Sequence, residues 1–527
     1  MSKNKIILII RDGWGYSKQT KGNAIAAANT PFDDYLNSNT NPIILQAHGP
    51  AVGLPERFQG SSEVGHMNMG AGRVIKQEVT RVYEILESGE IYKTDKFRQI
   101  LQHLKNTNAN IHLMGLLQNE GVHAHQEHLF YLISFFAKAM PGNRVIVHVF
   151  SDGRDTAPRS VCSFLEELEK CLEDHGNASI GTLIGRYYAM DRSNNWNLTA
   201  EAYNAICFAK GIKITNMSSA VEHQYKSSKT PDNYPMFDEY LPSLIANEYK
   251  GVQRGDVLIN YNYRQDRAIQ LTQAFVDTSS PIYAQNKNLN QDLHYYGLTQ
   301  YYDEFSNFLI PAITNFNSSS ALVGRVISNA GLRQLRIAET QKFRHVTSFF
   351  NGKLTNPFSL EDRIEIPSQY DPSSFATHPE MNAKEVTESV LKKLSDHYPF
   401  ILINYANCDM VGHTGEFSAA VKAVEVVDKN VEIVSKEAIK NDYAVIITAD
   451  HGNSEEMIEL KTDEIKTSHT LNPVKLHVLS PSSSVHVTNL TGTQAILSDI
   501  GTLILRLLHL PIPDEMTSRN LNVSYKN

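Results

Sequence analysis

The chain is poor in cysteine, with only four in 527 residues: Cys162, Cys171, Cys207 and Cys408. So few cysteines cannot form the dense disulfide framework of a small secreted domain. No two of them are spaced as a CxxC pair, which excludes a zinc ribbon and a dithiol redox motif. The chain is instead long enough to bury more than one hydrophobic core.

Long apolar runs are also missing. The first residues read MSKNKIILIIRDGWG, and their apolar run extends only from Ile6 to Ile10. A signal peptide needs a longer apolar core followed by a cleavage region. No stretch of the chain approaches the roughly 18 consecutive apolar residues that span a membrane. We therefore expect a cytoplasmic protein that has no membrane partner.

An excess of positive charge is absent as well. Lysine and arginine total 49, aspartate and glutamate total 57, and the formal net charge is −8. Nucleic-acid-binding proteins usually carry a basic surface, so a net acidic chain argues against a nucleic-acid partner. An anionic small-molecule substrate would have to be attracted by a local cluster of basic side chains.

What the chain does contain is an alternation of short apolar runs with amphipathic stretches. Runs typical of buried strands occupy residues 5–10, 111–117, 144–150, 179–185, 257–263, 401–405 and 443–449. Helical periodicity is found in residues 127–139, 160–173 and 417–439. This alternation favours α/β domains with largely parallel sheets. The polar segments 226–233 and 286–291 are expected to be loops.

Three of the predicted strands run directly into acidic or imidazole side chains. Asp12 follows the first strand, Asp409 and His413 follow the strand at 401–405, and Asp450 and His451 follow the strand at 443–449. Ligands of parallel α/β sheets bind beyond the carboxyl ends of the strands. Each strand end could also be simple turn chemistry, but together they deliver the residue types that bind metals. If residues 1–78 and 315–527 form one sheet domain, residues 79–314 are an inserted second domain.

The candidate metal ligands are carboxylates and imidazoles without thiolates: Asp12, Asp409, His413, Asp450, His451 and His469. Asp409 and His413 are four residues apart, which places both on one face of a helix. Such a mixture suits manganese or zinc, whereas an all-oxygen site would favour magnesium or calcium. Six ligands exceed one tetrahedral site and indicate two metals, which can clamp a phosphoryl group. Taken alone, His469 in TSHTLNP is more typical of a loop histidine.

Ser62 is a candidate nucleophile. It lies in a glycine-rich segment, FQGSSEVGHMNMGAGR at residues 58–73, whose backbone could approach a phosphate closely and offer it free N–H groups. A serine hydroxyl becomes an effective nucleophile when a base or a metal lowers its pKa. A purely structural turn is the alternative interpretation of this segment.

The sequence also carries motifs in a fixed order: LIIRDGWG, GSSEVGHMNMGAGRV, GLLQNEGVHAH, SDGRDTAP, GRYYAMDR, NYRQDRAIQ, RQLRIAETQKFRHVTSFFNG, ANCDMVGHTG, ITADHGN and HTLNPV. Over essentially the whole chain they resemble the 2,3-bisphosphoglycerate-independent phosphoglycerate mutases, metal enzymes of the alkaline phosphatase superfamily. The resemblance implies an α/β fold with two domains. Residues 1–78 and 315–527 would form an alkaline-phosphatase-like, doubly wound, metal-binding sheet domain, and residues 79–314 an inserted substrate-binding (phosphotransferase) domain.

The resemblance further implies a monomeric isomerase of glycolysis and gluconeogenesis. It would interconvert 3-phosphoglycerate and 2-phosphoglycerate with two Mn²⁺ ions, for which Zn²⁺, Co²⁺ or Mg²⁺ can substitute, and without 2,3-bisphosphoglycerate. Its phosphoserine intermediate falls on Ser62. The implied metal sites consist of Asp12, Ser62, Asp450 and His451 for one ion, and of Asp409, His413 and His469 for the other.

The same resemblance implies a set of substrate contacts: His123, Arg154, Asp155, Arg186, Arg192, Arg264, Arg267 and Lys342. Lys342 would help neutralise the phosphoryl group, and Asp155 would accept the proton of the attacking glycerate hydroxyl. Arginines bind carboxylates and phosphates in bidentate fashion and would keep the glycerate bound between the two transfers. Closure of the inserted domain would exclude the water that otherwise hydrolyses phosphoserine.

The chain departs from the family pattern at a few positions. Ser61 stands before the nucleophile where the family commonly has Asn, and Gln265 and Cys408 stand where it commonly has Pro. Residues 193–198 lack the charged side chains usual after GRYYAMDR. None of these changes removes an implied ligand. Cys408 is either an oxidisable thiol beside the metal site or a small buried filler.

Three other functions share part of these features. A metal-dependent phosphatase or phosphodiesterase shares the metal ligands and Ser62 but needs no carboxylate-binding arginines. Another phosphosugar mutase, such as a phosphopentomutase, would carry a different inserted domain, and DGRD and NYRQDR argue against it. A non-catalytic phosphometabolite-binding protein has no use for a nucleophile.

Overall fold

The computed structural model describes residues 5–231, 233–302, 304–311, 321–371, 374–460, 463–481 and 485–525. The chain divides into two compact units. The first unit consists of Met1–Gln77 and Asn315–Asn527, and the second consists of Glu78–Thr314. The first unit is therefore discontinuous in sequence. Among the described residues, no helix has both the length and the apolar character needed to cross a bilayer.

The strands are short and are distributed over both units. They are β1 Lys5–Arg11, β2 Ile43–Leu45, β3 Ile111–Leu116, β4 Val145–Ser151, β5 Ala178–Gly185, β6 Ile212–Ile214, β7 Leu244–Ala246, β8 Val257–Asn260, β9 His294–Thr299, β10 Phe308–Ile310, β11 Gln334–Glu339, β12 Glu361–Ile366, β13 Phe400–Tyr405, β14 Tyr443–Thr448, β15 Val474–Leu479, β16 Val485–Asn489 and β17 Leu521–Tyr525.

The helices vary from a single turn to 24 residues. They are α1 Ala24–Ala27, α2 Pro31–Asn39, α3 Ser62–Ala71, α4 Glu78–Glu87, α5 Asp95–Asn106, α6 Gln126–Ala139, α7 Val161–Glu173, α8 Arg186–Ala189, α9 Trp196–Phe208, α10 Met217–Ser227, α11 Ile269–Val276, α12 Pro281–Gln285, α13 Lys287–Asn290, α14 Val323–Asn329, α15 Thr340–Arg344, α16 Ala383–Leu394, α17 Asn407–Gly412, α18 Phe417–Lys440 and α19 Asp499–Leu507. A π-helical turn, His345–Phe349, follows α15 directly.

The first unit is built on a sheet with the strand order β12-β11-β13-β1-β14-β15-β2. The strands from β12 to β14 are parallel, whereas β15 pairs antiparallel with both β14 and β2. β1 lies near the centre, where Ile7 pairs with Ile401 of β13 and with Val445 of β14. The apolar run of β1 is fully buried, as expected of a central strand in a parallel sheet that is covered on both faces.

The second unit has its own sheet, with the strand order β10-β9-β8-β3-β4-β5-β7-β6. Its strands from β10 to β5 are parallel, β7 pairs antiparallel with β5, and β6 pairs parallel with β7. Both units therefore combine a largely parallel sheet with connecting helices. The predicted α/β fold class is confirmed.

A chain of buried polar side chains crosses the second sheet. Asp256 Oδ2 lies 3.0 Å from His112 Nε2, His112 Nδ1 lies 2.9 Å from His148 Nε2, and His148 Nδ1 lies 2.9 Å from Thr182 Oγ1. If each ring donates towards Asp256, both histidines are satisfied in their neutral form. Burial, followed by the neighbouring His112, lowers the pKa of His148 well below its usual range.

The predicted strands and helices are found, with differences at the end of β8 and in the two predicted loops. β8 ends at Asn260 rather than at residue 263, because Asn262 turns out of the ladder and its Oδ1 accepts a hydrogen bond from the backbone N–H of Leu116. The prediction of a loop at residues 286–291 is wrong, since Lys287–Asn290 is helical. This single turn follows α12 and is polar, so it has no apolar periodicity to reveal it. The predicted loop at 226–233 begins within the last turn of α10, and its Asp232 lies outside the described residues.

Candidate active site

Three strand ends of the first sheet bring acidic groups together. The last residue of β1, Arg11, pairs with Tyr405 at the end of β13, and Ile10 pairs with Thr448 at the end of β14. Because these parallel strands end at one edge of the sheet, the residues that follow them meet there. Gly13, at φ +74°, allows the loop after β1 to approach, since a Cβ atom there would lie 2.7 Å from the Asp409 Cα.

The six candidate metal ligands fall into two groups within the first unit. Asp12, Asp450 and His451 form one group, and Asp409, His413 and His469 form the other. In each group the potential ligand atoms all lie within 4.8 Å of one another. The carboxylates and His451 are fully or almost fully buried.

The histidines of the second group are oriented as metal ligands usually are. His413 Nδ1 lies 2.7 Å from the Thr467 carbonyl, and His469 Nδ1 lies 2.8 Å from the Gly60 carbonyl. A ring nitrogen that faces a carbonyl carries the hydrogen, which leaves the other nitrogen free to bind a metal. The two Nε2 atoms lie 3.1 Å apart, and each is 3.1 Å from Asp409 Oδ1. This arrangement fits a divalent cation with mixed nitrogen and oxygen ligands.

Ser62 is the first residue of α3 and is buried beside the first group. Its Oγ lies 3.0 Å from Asp12 Oδ1 and 2.9 Å from His451 Nε2. Ser61 is the N-cap of the helix and accepts a hydrogen bond from the Val64 N–H at 3.4 Å. The unpaired N–H groups and the dipole at a helix N-terminus favour a phosphate, so the hydroxyl lies at an anion-binding end.

Lys342 links the two groups. Its Nζ donates to Asp12 Oδ1 at 2.7 Å, to Asp409 Oδ2 at 2.6 Å and to Ser62 Oγ at 2.7 Å. Burial alone would lower the pKa of Lys342, but Asp12 and Asp409 outweigh it and raise this pKa above its usual range. Conversely, burial would raise the pKa of both carboxyl groups, and Lys342 is the main cause that lowers them. Lys342 is therefore charged, and the carboxyl groups of Asp12 and Asp409 are ionised.

The electrostatics of the centre favour cations. Burial would lower the pKa of His451, yet Asp450, Asp12 and Asp409 raise it to about 10. Three buried carboxylates thus stabilise positive charge strongly enough to hold a proton on a buried imidazole. A metal ion would replace that proton, because a ligating histidine must be deprotonated.

Two asparagines that were not predicted from the sequence donate hydrogen bonds to candidate ligand carboxylates. Asn404 Nδ2 donates to Asp12 Oδ2 at 2.7 Å, and Asn453 Nδ2 donates to Asp409 Oδ1 at 3.1 Å. Both are buried. Asn453 could have been found within the motif ADHGN, whereas Asn404 lies at the end of β13 among apolar residues.

In the second unit, Arg186 organises the loop after β4. This buried guanidinium donates from Nη1 to Asp152 Oδ1 at 2.7 Å and to Asp155 Oδ2 at 2.6 Å. His123 Nε2 lies 3.7 Å from the same Asp155 oxygen. Burial is the main cause that lowers the pKa of His123 to about 4, followed by the charge of Arg186. His123 is therefore a neutral imidazole beside the carboxyl group of Asp155.

Asp266, also not singled out from the sequence, is the partner of two predicted substrate contacts. Its Oδ2 accepts from Arg192 Nη1 at 2.6 Å and its Oδ1 from Arg264 Nε at 2.9 Å. The Oδ1 also lies 3.8 Å from His123 Nδ1. The sequence could have indicated Asp266 by its position in NYRQDR, where it lies between Arg264 and Arg267.

Two further predicted substrate contacts, Arg154 and Arg267, also lie in the second unit. Arg154 Nη1 lies 3.3 Å from Glu239 Oε1, and Arg267 Nη1 donates to the Met190 carbonyl at 3.1 Å. Burial is the first cause that lowers the pKa of Arg267, and three neighbouring guanidinium groups lower it further. Crowded cations of this kind favour an anionic ligand. All the predicted substrate contacts except Lys342 are thus grouped in the second unit.

The residues that depart from the family pattern have ordinary environments. Cys408 is fully buried, and burial raises the pKa of its thiol. A thiol that resists ionisation is poorly reactive, which favours the interpretation as a small filler. Gln265 Nε2 donates to the Gln300 carbonyl at 2.9 Å.

Comparison with known proteins identifies the family. A family model described as the metalloenzyme superfamily matches residues 4–512. The 2,3-bisphosphoglycerate-independent phosphoglycerate mutase of Clostridium novyi is 40% identical over 526 residues, covering 99% of this chain and 100% of that protein. The enzyme of the same name from Vesicomyosocius okutanii is 38% identical over 521 residues, with 98% of each chain covered.

A solved structure gives the same result. The crystal structure of Leishmania mexicana phosphoglycerate mutase at low cobalt concentration superposes with a TM-score of 0.72 and 28% identity, covering 99% of this chain and 98% of that one. The sequence similarity extends over both units. The chain belongs to the 2,3-bisphosphoglycerate-independent phosphoglycerate mutase family, within the metalloenzyme superfamily, and is an enzyme of the isomerase class.

Proposed function

We propose that this enzyme interconverts 3-phosphoglycerate and 2-phosphoglycerate through a phosphoserine on Ser62, without 2,3-bisphosphoglycerate, in glycolysis and gluconeogenesis. The observation that carries the proposal is the position of the Ser62 hydroxyl. It lies at a helix N-terminus, 2.7 Å from the Lys342 ammonium and 3.0 Å from Asp12. A pure binding protein would not need a buried hydroxyl held between a cation and candidate metal ligands.

We propose two divalent metal ions, Mn²⁺ in the first place, with Zn²⁺, Co²⁺ or Mg²⁺ able to substitute. Asp12, Ser62, Asp450 and His451 would hold one ion, and Asp409, His413 and His469 the other. When bound, such ions supply Lewis-acid stabilisation of phosphoryl charge and lower the pKa of a nearby hydroxyl. The donor set, with carboxylates, imidazoles and no thiolate, supports this choice.

In the first transfer, the Ser62 Oγ attacks the substrate phosphorus, the ester bond to the glycerate oxygen breaks, and the proton of the Ser62 hydroxyl passes to that leaving oxygen. Lys342 stabilises the negative charge on Oγ and on the transferred group, because its Nζ already donates to that oxygen. The N–H groups at the start of α3 offer donors to the phosphoryl oxygens. The products of this step are phosphoserine and glycerate.

In the second transfer, the other glycerate hydroxyl attacks the phosphoserine, the bond between phosphorus and the Ser62 Oγ breaks, and Oγ regains a proton, which regenerates Ser62. Asp155 accepts the proton of that hydroxyl, with the neutral His123 beside it. The guanidinium groups of Arg154, Arg186, Arg192, Arg264 and Arg267 would bind the glycerate carboxylate and the substrate phosphate. Retention of glycerate distinguishes a mutase from a phosphatase that shares the same metal ligands.

We also propose that the enzyme acts as a monomer in the cytoplasm, with the phosphoglycerates as its partners and neither nucleic acid nor membrane. The net charge of −8 supports the absence of a nucleic-acid partner. Sedimentation equilibrium of the purified chain tests the monomer, and a mass of 59.2 kDa is the expected result.

One assay tests the reaction. The metal-free enzyme is incubated with 3-phosphoglycerate, with and without added Mn²⁺ and in the absence of 2,3-bisphosphoglycerate. Formation of 2-phosphoglycerate only with Mn²⁺ is the expected result. Release of inorganic phosphate without isomer formation would favour a phosphatase and contradict the proposal.

A further inference from the structure

Glu455 is a buried carboxylate that joins its own loop to two other loops of the first unit. Only 1% of its surface is exposed. Its Oε2 accepts the backbone N–H groups of Gly15 at 3.0 Å and of Asn453 at 2.8 Å. Its Oε1 accepts Asn472 Nδ2 at 3.0 Å and the Thr470 hydroxyl. Both oxygens are therefore used, and each receives two donors.

Each of these loops carries candidate metal ligands. Gly15 follows Asp12 after two residues, Asn453 follows His451 after one residue, and Thr470 directly follows His469. Asp12 and His451 belong to one ligand group and His469 to the other. A single side chain is thus bonded to segments that serve both groups, although it belongs to neither.

The loops are shaped to receive this carboxylate. A Cβ atom on Gly15 would lie 2.2 Å from the carboxyl carbon of Glu455, and a Cβ atom on Gly452 would lie 2.2 Å from its Oε1. Two glycines therefore let the backbone pack directly against the carboxylate. Burial raises the pKa of Glu455, although the hydrogen bonds from Thr470 and Asn472 lower it. Burying this carboxylate therefore costs desolvation free energy, which a neutral side chain in the same loop would not cost.

We propose that Glu455 is a positioning residue that fixes the loops of both ligand groups at metal-binding distance. The proposal rests on the proposed two-metal function. Metal-ligating side chains depend on such supporting hydrogen bonds for their orientation, and loss of a support typically weakens metal binding about 10–100-fold. Glu455 acts through Asp12, His451 and His469 and does not itself contact the substrate.

The test replaces Glu455 by the isosteric glutamine. In Glu455→Gln, an amide N–H₂ replaces one carboxylate oxygen, and the groups around it all donate to that carboxylate in the wild type. The hydrogen bonds to one of the two oxygens are therefore lost without a change in side-chain volume. The neighbouring Glu456→Gln is the matched control. Glu456 is partly exposed and binds Lys466 and Asn472, and within the described part of the chain it accepts no backbone N–H from the ligand loops.

The measurement is calorimetric titration of MnCl₂ into each metal-free protein. We expect the Kd for Mn²⁺ to rise about 10–100-fold in Glu455→Gln and to stay within twofold in the control. At saturating Mn²⁺, kcat should return most of the way to wild type, because the ligands themselves are intact. Wild-type Mn²⁺ affinity in a folded Glu455→Gln protein would overturn the role of Glu455.

A second pair of variants keeps the proposal testable if Glu455→Gln does not fold. Thr470→Val removes one donor at constant shape, and Thr470→Ser restores it. Weaker Mn²⁺ binding in the valine variant with recovery in the serine variant supports the positioning role, and equal binding in both contradicts it. Failure of the wild-type protein to bind Mn²⁺ would instead overturn the proposed function, so the two failures are distinguishable.

Discussion

The Lys342 ammonium lies 2.7 Å from the Ser62 hydroxyl oxygen, and the two side chains come from segments 280 residues apart in sequence. The same Nζ also binds a carboxylate from each candidate ligand group. A fixed cation at this position lowers the energy of an oxyanion on the serine and of the phosphoryl group that it receives. Lys342 therefore couples the nucleophile to both groups.

Replacing Lys342 by methionine should reduce kcat about 10²–10³-fold, which is typical for removal of one group that stabilises transition-state charge. The change keeps the length of the side chain but removes its charge. Steady-state kinetics at saturating Mn²⁺ measure the effect. Lys353→Met is the control, because Lys353 is half exposed and pairs with Glu63 at 2.8 Å. A Lys342→Met enzyme with kcat within threefold of wild type would rule out the charge-stabilising role.

Replacing Ser62 by alanine should abolish isomerisation and leave the fold intact, because the hydroxyl is the proposed phosphoryl acceptor. Mass spectrometry after a rapid quench should detect a phosphorylated peptide covering residue 62 in the wild type and none in the variant. Ser61→Ala is the control: it removes only the N-cap contact of α3 and should cost about 1 kcal/mol of stability with catalysis retained. Normal turnover in Ser62→Ala would disprove the nucleophile.

Removing one carboxylate from either candidate ligand group should lower the metal content by one ion and leave the other ion bound. We expect two Mn²⁺ per wild-type chain, and about one in each of the variants Asp450→Asn and Asp409→Asn, because their ligand groups are distinct. Atomic emission analysis after dialysis gives the content. Both variants should lose isomerase activity. A wild-type content of one ion, or loss of both ions in both variants, would contradict two independently assembled sites.

Asp266→Asn tests the arginine cluster of the second unit. Asp266 holds Arg192 and Arg264, so its neutralisation should disorder both guanidinium groups and raise the KM for 3-phosphoglycerate about tenfold, or about 1.4 kcal/mol. The ratio of phosphate released to isomer formed should also rise. Asp292→Asn, at the exposed pair with Arg254, is the control. An unchanged KM would show that Asp266 does not organise substrate binding.

The buried His148 should make stability depend on pH. Its pKa is lowered in the folded state, first by burial and then by His112, so the unfolded chain binds the proton more readily. This stability is present above pH ~6.5 and is lost as pH falls below that value, by up to about 1.4 kcal/mol per pH unit. Urea unfolding between pH 7 and pH 5 measures the slope. His148→Gln should reduce the slope, whereas the exposed His223→Gln should not, and equal slopes in both variants would contradict the assignment.

The sequence predicted those parts of the site that follow from local rules. Asp12, Asp409 and Asp450 could be assigned to one place because each follows an apolar run, and parallel strands bring their carboxyl ends to one edge. Only the order of the strands along the chain is needed for this assignment. Ser62 could also be predicted locally, because its glycine-rich segment indicates a backbone that can approach a phosphate closely.

Supporting residues could not be found in this way. Glu455 is one of many acidic residues, and its role is visible only when Gly15 and Thr470, hundreds of residues apart, lie on opposite sides of it. Asp266 likewise acts through partners from other segments. Helix α13 was missed for a different reason, because a polar single turn carries no periodic signal. The roles of Glu455 and Asp266 follow from long-range contacts and not from local sequence.

The discontinuity of the first unit has a consequence for the newly made chain. β1 is a fully buried apolar strand, and both of its neighbours in the sheet, β13 and β14, come from the last third of the sequence. At roughly 5–20 residues per second on the ribosome, the strand waits on the order of 20 seconds or more for its partners while the whole second unit emerges. During biosynthesis, Ile6–Ile10 is therefore an unpaired apolar segment that a chaperone can cover.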